Sequence, residues 1–199
     1  FDDAFAIKGD AKHYPTLASR GFVDGAFAIM DDAVIATTAA AVDAHRFADD
    51  ATKDADKAFK SAKLAGRAEK SAVSHARDSF KAKNDVDRIK EGNAAANALE
   101  LVYTARASAI QHADAANLHA KKATQSAGRA TAARNQAART LPLAMNKAAN
   151  AAPAAAETTG GATAALLIRS AADRSSAAAH SARDSANDAA YAAARATSA

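Results

Sequence analysis

The chain has no cysteine and no tryptophan, and only three prolines and eight glycines among its 199 residues. Without cysteine there is no disulfide framework and no thiolate metal site. Aromatic residues are 5% of the composition, so no core can be built on large rings. No apolar run reaches the roughly 18 residues that would suggest a membrane-spanning helix. No Asn-x-Ser/Thr triplet occurs, so no N-glycosylation acceptor is expected. Phe1 stands where an initiating methionine would, which suggests a processed product.

What is present is alanine, 65 residues of it. Alanine has the highest helix propensity because ordering it costs no side-chain entropy. Its placement is regular. Ala44, Ala48, Ala51, Ala55, Ala58, Ala62, Ala65, Glu69, Ala72 and Ala76 follow alternating steps of four and three. A second track runs Leu99, Val102, Arg106, Ala109, Ala113, Ala116, Ala120, Ala123, Ala127, Ala130, Arg134, Ala137, Leu141. A 3.5-residue repeat held this long predicts helices packed along a seam, as in coiled coils. Alanine there lets the axes approach toward the low end of the usual ~8–10 Å range. Each buried methyl is worth only about 0.8 kcal/mol, so stability must come from many repeated layers.

The breakers predict three helices. Residues 1–21, with Gly9, Pro15 and Gly21, read as irregular, and a first helix runs from about Phe22 to Lys90. Gly92 and Asn93 supply a stop and a cap for the next helix. The second helix covers about Ala94 to Thr140 and ends before Leu141-Pro142. A connection over 141–161 follows, and a third helix covers about Ala162 to Ala196. The expected architecture is therefore all-α, an elongated three-helix bundle of about 100 Å with alanine-rich coiled-coil packing. It reads as one domain, with a stem at about 45–140 and 169–196 and a small head at about 1–44 and 141–168. With a shorter second helix, the start of the first overhangs the bundle. The larger residues gather there: Phe22, Val23, Phe27, Ile29, Met30, Val34 and Ile35 with Leu141, Leu143, Met145, Leu166, Leu167 and Ile168.

Chemistry is harder to find. His112 and His119 are seven apart on one helix face, about 10 Å along the axis, too far to clamp an ion without other ligands. His45, His75 and His180 stand alone among alanines. Asp31-Asp32, Asp49-Asp50 and Asp54-Asp56 diverge around a helix rather than face one another. Gly160-Gly161 lacks the flanking pattern of a phosphate loop. No catalytic constellation, metal site or cofactor is read here, and the expectation is a protein that is not an enzyme. Ice binding would want threonines about eleven residues apart, and none of the twelve are so spaced. The net charge is +4, and Lys121, Lys122, Arg129, Arg134, Arg139 and Lys147 form a basic run without an intervening acid. A solvated helix face accounts for that run, and no nucleic-acid partner is expected.

A long first helix, a hairpin, a second helix, an interrupting segment and a third helix resemble the alanine-rich three-helix surface proteins of African trypanosomes. This is the group of the haptoglobin-haemoglobin receptor and the glutamic acid/alanine-rich protein. Val102-Tyr103-Thr104-Ala105-Arg106 and the stretch from His112 to His119 share that family's texture of alanine, histidine and charge. Glutamate is limited here to Glu69, Glu91, Glu100 and Glu157, and the receptor's head cysteines have no counterpart. The resemblance implies an extracellular, cell-surface coat protein, touching the membrane only through a C-terminal lipid anchor. It also implies a host or vector macromolecule as partner. The alternatives are a surface receptor or pigment carrier working through the head, or a coiled-coil subunit of an organelle assembly. Any partner is expected on the head, at Phe22, Phe27, Met30, Arg134, Arg139 and Leu143, where larger apolar residues and cations coincide.

Overall fold

The computed structural model describes residues 17–151 and 160–198. Three helices account for them: α1 (Leu17–Lys81), α2 (Asp85–Ala151) and α3 (Gly160–Thr197). They pack against one another, and no strand occurs among the described residues, so the fold is an all-α three-helix bundle. None of these helices is long and apolar enough to cross a membrane.

The first turn of the chain is not where Gly92 would put it. α1 ends at Lys81, and Gly92 lies inside α2. The reason is the cap at Asn84. Its Oδ1 accepts the backbone N–H of Asp87 at 2.8 Å, and its Nδ2 donates to the Asp87 carboxylate at 2.7 Å. The Asn84 side chain thus satisfies one of the backbone donors left open in the first turn of α2, and its second bond holds it in place. Asp85 and Asp87 also place negative charge at the positive end of α2, and Lys81 sits in the last turn of α1. Ser79 closes the corner by donating to the Arg88 carbonyl at 3.0 Å.

Two further boundaries differ from expectation. Residues 17–21 are already helical, while 1–16 lie outside the described residues. α2 does not stop at Thr140; it runs through Pro142 to Ala151. Proline at 142 withdraws one backbone bond and crowds the carbonyl four residues earlier, a cost of ~3 kcal/mol. Packing offsets it, because a continuous α2 brings Leu141 and Met145 onto the same buried cluster. The expected 141–161 connection is thus helical at both ends, and 152–159 lie outside the described residues. Nor is α1 left without α2 at Met30, since the Thr140 hydroxyl oxygen lies 3.8 Å from the Met30 sulfur.

The chain divides into two compact units, residues 1–45 with 124–185, and residues 46–123 with 186–199. In the first, Met30, Ala33, Ala137, Ile168 and Ala171 form the core, with Val34, Leu141, Met145 and Ala172 packed on it. Three helices contribute to this core, and its largest fully buried side chains are Met30 and Ile168. Thr37 and Ser175 join α1 to α3 through a buried hydroxyl pair.

In the second unit the seam is alanine. Ala48, Ala51, Ala55, Ala58 and Ala65 of α1 are buried, as are Val102, Ala113, Ala116, Ala120 and Ala123 of α2. α3 adds Ala186, Ala189, Ala192, Ala193 and Ala196. The tracks slip by one residue where charge interrupts them. Ala68 and Ala105 are buried, and their neighbours Glu69 and Arg106 turn outward and pair at 3.0 Å. A charge on the seam would have to be desolvated, whereas one residue of slip leaves both ions half in water.

Candidate functional site

Antiparallel packing of α1 and α2 in the second unit aligns rows of residues seven apart. On α1 the row is Phe47, Asp54, Ser61, Ala68 and His75; on α2 it is Glu91, Ala98, Ala105, His112 and His119. The two rows meet. His75 Nδ1 lies 2.7 Å from the Glu91 carboxylate, and beside the α2 row the Ser108 hydroxyl lies 3.2 Å from that of Ser61.

The densest cluster of chemistry-bearing side chains lies along these rows. His112 Nδ1 is 3.6 Å from one oxygen of Asp54, and His119 Nε2 is 3.7 Å from the other. Lys57 reaches the same carboxylate from the exposed side at 3.4 Å. The His119 ring also lies against Phe47, with centroids 6.2 Å apart. Arg46 and Lys122 hold cations 4.9 and 5.6 Å from the Phe47 centroid, within cation–π range. Sequence spacing places His112 and His119 on one face but does not reveal the Asp54 carboxylate between them. Its signal was the shared seven-residue period of Asp54 and the histidines. That signal becomes readable only once Asn84, rather than Gly92, sets the antiparallel register.

The geometry makes this cluster a tether between helices. Both imidazole contacts exceed hydrogen-bond length, and one carboxylate is shared among three potential cations. Among the described residues no group of three or more His, Cys, Asp or Glu side chains is arranged to hold a metal ion. His119 Nδ1 is buried without a hydrogen-bond partner. The cluster therefore links α1 to α2 through close polar contacts, ring packing and the Lys122 cation over Phe47.

Of the residues expected to meet a partner, one is enclosed. Met30 is 1% exposed and belongs to the core, because its thioether fills the space among Ala33, Ala137 and Ile168. It cannot present a contact, which corrects its place in the expected site. Leu143 and Arg139 are exposed on α2, and Arg134 is half-buried. Phe22 and Phe27 lie on α1, with side chains outside the described residues. Of the other large residues expected in the head core, Ile35 and Leu166 are exposed instead.

One shallow, open depression follows the surface of α3 in the first unit, lined by Leu166, Arg169, Ser170, Asp173, Arg174 and Ala177. Among the described residues its lining belongs to α3. The Arg174 Nε at its edge is buried without a hydrogen-bond partner.

No family model matches the chain, no curated protein matches it, and no solved structure matches it.

Proposed function

We propose that this chain is a non-enzymatic structural protein of a cell surface, a helical-bundle coat protein held by a C-terminal lipid anchor. The observation that carries the reading is the seam. Three helices meet through alanine methyl groups over many layers, with Ala44, Ala51, Ala58, Ala116, Ala123, Ala130, Ala182 and Ala189 all fully or almost fully buried. Close approach of three helix axes leaves little interior space for a substrate, whereas ligand pockets are lined by larger apolar side chains with a few polar groups. The interhelical polar contacts of Asp54, His75, Glu91 and Arg106 add register between helices rather than a reaction centre. The architecture likened above to trypanosome surface proteins supplies the location.

The test is cellular. Antibodies against the chain should stain intact, unpermeabilised cells of the organism that makes it, and a phosphatidylinositol-specific phospholipase should release the antigen. Staining that requires permeabilisation would reject the surface assignment. Surface staining without phospholipase release would reject the lipid anchor.

A further inference from the structure

Within the second unit α1 turns Ala48, Ala51, Ala55 and Ala58 inward. The positions farthest from that seam recur every seven residues along its outer surface. They are Arg46, Lys53, Lys60, Arg67, Ser74 and Lys81, and all six are exposed. Five carry a positive charge and none a negative one. At 1.5 Å per residue the row extends for roughly 50 Å, with neighbours about 10 Å apart.

An outward helix position does not by itself demand a cation. The matching row of α2 in the same unit is Lys90, Asn97, Thr104, Gln111 and Leu118, with a single positive charge. That of α3 is Asn187 and Ala194, with none. All of these are exposed too, so neutral side chains serve there equally well. Nor are the cations of α1 consumed by ion pairing. Lys53 meets Asp50 at 3.6 Å with 70% of its side chain exposed, a contact worth little in water. Among the described residues no ion pair involves Lys60, Arg67 or Lys81.

The spacing is close to the ~8–10 Å Debye length of ordinary salt, so these cations repel one another only weakly in the free chain. A polyanion laid along the row meets all of them together. Three features then select among polyanions. The row holds no aromatic ring on which the bases of a single-stranded nucleic acid would stack. Exposed Asp49 flanks it on one side and exposed Asp78 on the other, where a flat anionic membrane meets repulsion and a single chain does not. Charges held in line over this length favour a stiff partner, because a flexible acidic peptide loses more conformational freedom on being straightened.

We propose that this row binds a linear sulfated polysaccharide running along α1. Its sulfate oxygens accept hydrogen bonds from the lysine ammonium and arginine guanidinium groups. Binding of this kind goes beyond the coat-protein reading and does not depend on it.

The probe is a heparin decasaccharide titrated against the full chain by calorimetry, with its fully desulfated form as control. Heparin should bind and the desulfated form should not, and the logarithm of the affinity should fall linearly with that of salt. Lys60→Glu with Arg67→Glu should weaken binding at least about tenfold. Arg169→Glu with Arg183→Glu, the same change of charge on α3, should weaken it by less than about threefold. All four side chains are exposed, so thermal unfolding of both variants should stay unchanged. Ser74→Lys, which fills the gap in the row, should tighten binding about threefold. No binding of heparin, equal weakening by the two double variants, or no gain from Ser74→Lys would overturn the proposal. So would tighter binding of single-stranded DNA, polyglutamate or phosphatidylserine vesicles, which would give the row to a nucleic acid, an acidic peptide or a membrane.

Discussion

Thr37 of α1 and Ser175 of α3 place their hydroxyl oxygens 2.9 Å apart, and both residues are wholly buried. Thr37 already donates its one hydroxyl proton to the Ala33 carbonyl at 2.6 Å. Ser175 is therefore the donor of the interhelical bond. In a small-residue core this polar contact links α1 to α3 within the first unit.

Removing Thr37 alone should cost more than removing both hydroxyls. Thr37→Val leaves the Ser175 hydroxyl buried without its acceptor and should destabilise by ~1–3 kcal/mol. Ser175→Ala should cost about 1 kcal/mol, because Thr37 keeps its bond to Ala33. The double variant should recover part of the Thr37→Val loss. Chemical denaturation of the four proteins gives the cycle, and strictly additive losses would show that the two hydroxyls are not coupled.

The hairpin corner makes a prediction with opposite signs at two sites. Asn84→Ala removes the α2 cap and should lower stability by ~0.5–2 kcal/mol. Gly92 lies within α2, and a Cβ there would meet only the Ser79 hydroxyl, at 3.8 Å, an ordinary contact. Gly92→Ala should therefore raise stability by up to ~1 kcal/mol. Melting temperatures of the two variants decide it, since a turn at Gly92 would reverse both signs.

The alanine seam should resist enlargement. Ala58 and Ala116 are fully buried, and leucine at either should destabilise by ~1–3 kcal/mol through overpacking. Ala107 is exposed on the same α2 helix and provides the control. Ala107→Leu should change stability by no more than ~0.5 kcal/mol. If all three leucine variants unfold at the same temperature, the seam runs along other residues.

Gly66 and Gly128 are helical glycines with nothing within 4 Å of an added Cβ. Neither needs a backbone conformation that excludes alanine. Gly66→Ala and Gly128→Ala should each stabilise by about 1 kcal/mol, since helical glycine carries the larger entropic cost. A loss of stability in either variant, by thermal or denaturant unfolding, would point to a packing role for that glycine.

Glu69 and Arg106 show how far the residues could be read in advance. Each interrupts an alanine track in the sequence, and each marks a place where the buried position moves by one, to Ala68 and to Ala105. The interruptions were visible, but their pairing at 3.0 Å depends on register, and register depends on where the hairpin turns. Gly92 looked like the stop because glycine suits helix ends, yet the reciprocal Asn84–Asp87 bonds outcompete a position that alanine-rich neighbours can keep helical. Pro142 misled for a similar reason. Its local penalty is real, but Leu141 and Met145 gain burial only if α2 continues.

The amino-acid order alone determined the all-α class, the three helices and the seam between them. Alanine's propensity and the 3.5-residue period are local properties that need no partner to express themselves. Tertiary structure decided which residues of equal local character are buried. It enclosed Met30 and left Ile35, Leu143 and Leu166 exposed. It brought Asp54 between His112 and His119. Those outcomes depend on the relative register of helices far apart in sequence. Helix propensity and periodicity are unchanged when one helix slides along another, so they carry no information about that register.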